Sequence, residues 1–219
     1  MTVQTLLSPA LALSTGDTVE DALVSLADEG LRHLPVVDAD GRLLSIVSEA
    51  ALHAYPEAEA TLGDLPLGVA APVSAPPGTH VFDAAHLLRE HDLGALPVAT
   101  EEGEYVGLVV RQAVFGQLAH MLATEEPGSI LVVEVARADF SLAQLAHLVE
   151  QSGVRILSAS TEDDPGAGQV RVTLKLNVTD TARVRHLLAH HEVRVVGLFD
   201  EAESDIEARA AAFLRYLDV

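Results

Sequence analysis

Apolar positions recur at helical spacing twice in the first half of the chain. Val19, Ala22, Leu23 and Leu26 fall at i, i+3, i+4 and i+7, and Val81, Ala84, Ala85 and Leu88 repeat the pattern. A glycine precedes each run (Gly16, Gly78), and Asp17 or Thr18 is the expected helix cap of the first. A short apolar strand follows, Leu34-Pro35-Val36-Val37 and then Leu96-Pro97-Val98, which proline is expected to make peripheral at its start. A turn at 38–41 leads into a second strand over 43–47, a hairpin, and a helix begins at Glu49. One ungapped offset of sixty-two positions also pairs Asp21 with Asp83, Leu31 with Leu93, Gly41 with Gly103 and Val47 with Val109. Together with a first strand over 10–13, whose counterpart is 73–75, this predicts β-α-β-β-α twice, over about 7–55 and 69–118.

The pattern changes after the polar break at 123–128, so a first domain is expected over 1–122. Residues 130–135 read as a strand, and Asp139 or Ser141 caps a helix with Leu142, Leu145, Leu148 and Val149 on one face. A second strand is expected over 154–161. Val170, Val172, Leu174 and Leu176 then alternate with Arg171, Thr173, Lys175 and Asn177, a half-buried antiparallel strand. Asp180 opens a helix carrying Val184, Leu187 and Leu188, and 193–199 closes as a strand. The order β-α-β-β-α-β over 128–200 is ferredoxin-like. Ile206, Ala210, Phe213, Leu214 and Leu217 predict an amphipathic helix over 203–219. The fold class is mixed, α+β and α/β.

Charge sets limits on partners. The 219 residues hold thirty-three acids and thirteen bases, a formal net charge of −20, and Lys175 is the one lysine. Such a field disfavours nucleic acid and anionic membrane. An arginine-biased genome with ordinary solubility explains it, as does life in concentrated salt, where screening is short-ranged. No run reaches the roughly 18 apolar residues of a membrane span. The apolar stretch at 6–13 has no basic residue before it, so a secretory signal is not expected. The chain has no cysteine, which removes disulfides, thiol nucleophiles and thiolate metal sites. A cytoplasmic protein is expected.

The repeat resembles the cystathionine-β-synthase (CBS) domain pair, or Bateman module. The resemblance rests on 17–22, His33-Leu34-Pro35-Val36-Val37-Asp38 and 41–48, and in the second copy on 81–84, Leu96-Pro97-Val98 and 103–109. It implies two units about a pseudo-twofold, with two clefts that often hold adenosyl nucleotides such as AMP or ATP, or S-adenosylmethionine. In the family a segment Gly-apolar-apolar-Thr/Ser-x-x-Asp holds the ribose. Here the first copy has Ser45, Ser48 and Ala51 at the key positions, and the second has Gly107, Val110 and Ala113. Neither copy offers a carboxylate to a ribose diol, a loss of about 1.5–3 kcal/mol per charge-assisted bond. What remains for a ligand is backbone around Leu11, Leu13 and Val73, and walls at Leu34, Pro35, Ala95, Leu96 and Pro97. The Ser48 hydroxyl also remains, with Arg111 as phosphate base and Arg32 and His33 as second choices. Arg111 is equally expected to pair with a neighbouring acid.

The second half resembles an ACT-type regulatory domain through 130–135, Ser141-Leu142-Ala143-Gln144-Leu145 and 151–157. The stretch 137–142, where such domains place a glycine, has none, which weighs against amino-acid binding. The arrangement is that of stand-alone bacterial CBS-pair proteins with a C-terminal ACT-like domain. His186 and His190 share a helix face but lack a completing carboxylate, so no metal site is expected. No phosphate-cradling glycine loop or nucleophile motif appears, so the chain is not expected to be an enzyme. Two functions stand. One is a regulatory sensor binding an adenosyl nucleotide or related metabolite in a CBS cleft; the other is a ligand-free homodimerisation or partner-protein module.

Overall fold

The Thr18 hydroxyl accepts from the Asp21 N–H (3.1 Å) while the Asp21 carboxylate accepts from the Thr18 N–H (3.2 Å). This reciprocal cap starts the first long helix, α1 (Val19–Glu29), as the sequence predicts. The computed structural model describes residues 1–8, 11–55, 57–66, 72–164 and 168–199. The expected helix at 203–219, the strand start at residue 10 and the repeat start at 69 lie outside the described residues. The chain divides into two units, 1–118 and 119–219.

In the first unit β1 (Leu13–Ser14) precedes α1, and β2 (His33–Val37), β3 (Leu43–Ser48) and α2 (Glu49–His53) follow it. The second copy supplies α3 (Val81–Glu90), β4 (Ala95–Ala99), β5 (Tyr105–Val110) and α4 (Arg111–Met121). Its first strand is reduced to one parallel bridge between Ala75 and Val98. The strand carrying Pro35 is central rather than peripheral, since the sheet order is β1-β2-β3. Its β1 ladder begins with Leu13 opposite Val36, so the residue lacking an N–H lies just outside that ladder.

The two copies meet through matching bonds. Leu43 N–H donates to the Gly103 carbonyl (3.0 Å) and Tyr105 N–H to the Gly41 carbonyl (2.9 Å), positions related by the repeat offset. Their cores exchange equivalent side chains: Leu108 joins the core of the first copy, and Ile46 packs against that of the second. The segments preceding each copy cross over as well. Val3 N–H bonds Thr79 of the second copy (2.9 Å), and Leu62 N–H bonds Asp17 of the first (2.8 Å).

In the second unit β6 (Ser129–Ala136), α5 (Leu142–Gln151), β7 (Ile156–Asp164), β8 (Gln169–Leu176), α6 (Ala182–His190) and β9 (Arg194–Phe199) follow in turn. The sheet order is β7-β8-β6-β9 with every neighbour antiparallel. Leu145 and Val149 of α5 and Val184 and Leu188 of α6 cover the face of Leu131, Val133, Val172 and Leu174. Buried residues alternate with exposed or half-buried ones along β8, as its period of two predicts. Two boundaries differ. Val154 is core but precedes β7, which runs on to Asp164, and Asp180 accepts from Ala182 N–H (2.9 Å) one residue before the cap position at Thr181. No helix among the described residues is long and apolar enough to cross a membrane.

Candidate functional site

Two clefts in the first unit are built from positions one repeat apart. The first, about 570 Å³, lies between the turn after α1 and the start of α4. Arg32 and Arg111 both line it, with Gln112, Leu31 and Phe115, and Glu29 is its one acid. The second, about 370 Å³, lies between the start of α2 and the turn after α3; Arg32 and His33 reach it beside Ser48, Glu49 and His53, opposite His91 and Asp92. Arg32 is therefore common to both.

Arg111 is fixed from behind. Its Nε donates to the Leu93 carbonyl (2.9 Å) and its Nη2 to the Asp92 carboxylate (3.2 Å), so the expected pairing with an acid is present. Both members of the pair are half-exposed or more, so this ion pair is worth at most about 1 kcal/mol. The bond to the Leu93 carbonyl holds the guanidinium independently of Asp92. Phe115, 70% exposed, presents a ring at the mouth of the same cleft.

His33 lines the second cleft. Burial, then the Arg32 charge, hold its imidazole below the ordinary 6.5, with Asp92 acting the other way. Its Nδ1 is buried with no hydrogen-bond partner among the described residues. The Ser48 hydroxyl, in contrast, is engaged as the cap of α2, accepting from Ala51 N–H (3.1 Å).

The other expected site residues do not line these clefts. Leu13, Leu34, Ala95 and Leu96 are buried because their side chains fill the two cores, and Pro35 and Pro97 beside them in β2 and β4 are buried as well. The Leu11 carbonyl already accepts from the Tyr105 hydroxyl (2.9 Å), whose pKa burial raises. Val73 packs against the second core. Sequence reasoning gave no site role to Phe115, Gln112 or His53, and read His91 as a surface or packing residue; all four line the clefts. The signal was present: Phe115 and His53 are one repeat apart, as are Gln112 and Ala50. His186 and His190 are exposed on α6, and among the described residues no group of three His, Asp or Glu is arranged to hold a metal ion.

In the second unit a pocket of about 390 Å³ opens between the loop after β6 and the start of β9. It is walled by Asp139, Phe140, Ser141 and Leu148 and faced by His191 and Glu192.

The CBS-domain family model matches residues 3–56 and 67–120. A CBS domain-containing protein of Dictyostelium discoideum is 31% identical over 141 residues, covering 58% of this chain and 97% of that protein. Inosine-5'-monophosphate dehydrogenase of Halobacterium salinarum is 26% identical over 175 residues, 79% of this chain but 33% of the enzyme. Among solved structures, CBSX2 of Arabidopsis thaliana in complex with AMP is 27% identical and covers 54% of this chain and 96% of that chain, with a TM-score of 0.47.

Proposed function

This chain belongs to the CBS-domain family, and on that footing we propose that its first unit is a regulatory sensor that takes an adenosine nucleotide in the cleft of Arg32 and Arg111. One observation carries the reading: in a chain with thirteen bases against thirty-three acids, two arginines from different repeats converge on one 570 Å³ cleft. Guanidinium groups match phosphate oxygens in geometry and charge, and the volume is that of a small-molecule site. Phe115 offers a ring for the base. With Val110 and Ala113 where the family carries a hydroxyl and a carboxylate, the ribose gains nothing, and affinity rests on phosphate and base. Because each domain copy contributes one arginine, occupancy ties the copies together, and a regulatory output follows from whatever differential affinity the ligand has for two settings of the unit.

The second unit is read as an ACT-type regulatory module on its strand order. Its pocket at 139–141 is acidic and lacks a glycine, which favours no amino-acid carboxylate there. The whole is read as a cytoplasmic, non-catalytic protein.

Calorimetric titration with AMP, ATP, S-adenosylmethionine and NAD tests the reading. AMP or ATP is expected to bind, and Arg32→Ala or Arg111→Ala is expected to weaken binding roughly ten-fold or more, the size of a lost charged bond. Absence of heat from all four ligands overturns it. A ligand-free dimerisation or partner-docking role is the second reading, favoured by the exposed Phe115 beside an apolar groove of about 270 Å³ between α3 and α4. Light scattering on the protein and on Phe115→Glu separates the two. A dimer lost in the variant, with no nucleotide binding, supports the second.

A further inference from the structure

The sheet of the second unit carries its helices on one side. Both α5 and α6 cover the face of Leu131, Val133, Val172 and Leu174. Alternate positions belong to the other face. There Ile130 and Val132 of β6 have Lys175 and Thr173 opposite them on β8, and Phe199 and Gly197 opposite them on β9. Phe199 is 58% exposed, and its Cε2 lies 3.3 Å from where a Gly197 Cβ would stand, as does Val132 Cγ2. Phe199 and Val132 thus close over Gly197, and with Ile130 they make one apolar stripe along β6 and β9. On the β7 side the Leu122 carbonyl accepts from the Ser158 hydroxyl (2.7 Å), so the chain after α4 already reaches that part of the face. Lys175 borders the stripe. Its ammonium reaches the Gly128 carbonyl at 3.5 Å and makes no ion pair among the described residues.

We propose that this stripe is the seat of the chain's own segment 203–219, docked as a helix with Ile206, Ala210, Phe213, Leu214 and Leu217 against Ile130, Val132 and Phe199. The segment lies outside the described residues; its pattern, length, tether and charge select it. Its apolar residues recur at helical spacing, and such a face needs an apolar surface to cover it. As a helix its seventeen residues measure roughly 25 Å, about the length of the eight-residue β6. Residues 200–202 are all that separate it from Phe199, which stands on the stripe itself. So short a tether gives an effective concentration of about millimolar or more. The segment and its tether begin with Glu201, Glu203, Asp205 and Glu207, and they leave from the row of Phe199, Ile130 and Lys175. The lysine of that row stands two strand spacings from β9, roughly 10 Å. A second copy of the chain would instead bring a charge of −20 against −20. The docking is independent of what the first unit binds.

The test uses the full chain. Because it has no cysteine, a single nitroxide is placed by Ala212→Cys, on the side of the segment opposite its apolar residues. Amide signal intensities then report which residues the label approaches. Amides at 130–132 and 173–175 are expected to lose intensity, while those at 145–149 and 184–188, on the covered side of the sheet, keep it. Adding Phe213→Glu is expected to restore the lost signals, and unchanged shifts at 145–149 and 184–188 report that this variant is folded. A mixture of isotope-bearing chain without nitroxide and nitroxide-bearing chain without isotope assigns the source. Full intensity in that mixture supports docking within one chain, whereas loss at 130–132 puts a second copy on the face and overturns the proposal. Full intensity at 130–132 in the labelled chain, loss that persists with Phe213→Glu, or loss centred on α5, α6 or the first unit also overturns it.

Discussion

Gly128 illustrates how much a single position can decide. Its φ is +151°, and a Cβ there would overlap the Leu176 carbonyl oxygen, where β6 sets out beside the end of β8. Gly128→Ala must therefore shift backbone, and is expected to destabilise the second unit by about 2–4 kcal/mol in urea unfolding. A loss under half a kilocalorie would mean the strand starts elsewhere. Gly107 has a different reason: an added Cβ meets Leu7 at 3.0 Å and the Ser8 carbonyl at 3.3 Å, because the crossing segment 1–8 lies over it. Ser45 stands one repeat earlier, so this difference between the copies was visible in the sequence while its cause was not. His33 gives a pH prediction. Its folded pKa lies below 6.5, so the unfolded chain binds a proton that the folded chain refuses. Stability is intact above pH 6.5 and falls as the pH drops below it. Urea midpoints are expected to decline between about pH 7.5 and about pH 5.5, less steeply in His33→Gln; an identical decline in the variant removes His33 as the cause.

At the scale of elements, helix starts show why the repeat was legible and where legibility ended. Thr18 and Asp21 form a capping box readable from residue type and spacing alone. Thr18→Ala is expected to cost about 1 kcal/mol, measured by thermal unfolding. The Thr18 bonds also hold the Asp21 carboxyl below the usual carboxylate value of 3.8, so the carboxylate half of the box is present above pH 3.8 and lost as the pH falls further. The second copy caps α3 with the His80 imidazole, which accepts from Phe82 N–H (3.2 Å), a role no sequence rule assigns readily to histidine. Long periodic helices and the hairpins were legible because local spacing decides them. The first strands were legible in place but not in extent: β1 is two residues long and its counterpart is one bridge at Ala75, held by the neighbouring strand rather than by local preference. The crossing of segments 1–8 and 57–66 onto the opposite copy was equally hidden, since nothing in their composition records which core they enter.

The whole molecule decides the site and its salt response. Arg32 belongs to one repeat and Arg111 to the other, and only the packing of the copies brings them to one cleft. Each was visible as a candidate base; their convergence was not, because it depends on contacts across the local twofold, and the apolar strand walls expected at Leu34 and Leu96 instead fill the cores. The same global view bears on the charge of −20. Ion pairs such as Arg171–Glu134 (2.8 Å) draw on few of the thirty-three acids, and there are too few bases to neutralise the rest. Exposed like charges repel over roughly the Debye length, about 30 Å at 0.01 M but about 3 Å at 1 M, and the compact chain holds them closer than the unfolded one does. Screening therefore favours the folded state. The melting temperature is expected to rise steadily from low to molar KCl. Most of the gain should come in the first few tenths molar if screening alone acts, and it should continue beyond that if the acidic surface is adapted to concentrated salt. A melting temperature flat across the whole range would show that the carboxylates are spaced widely enough in the folded chain for their repulsion not to matter.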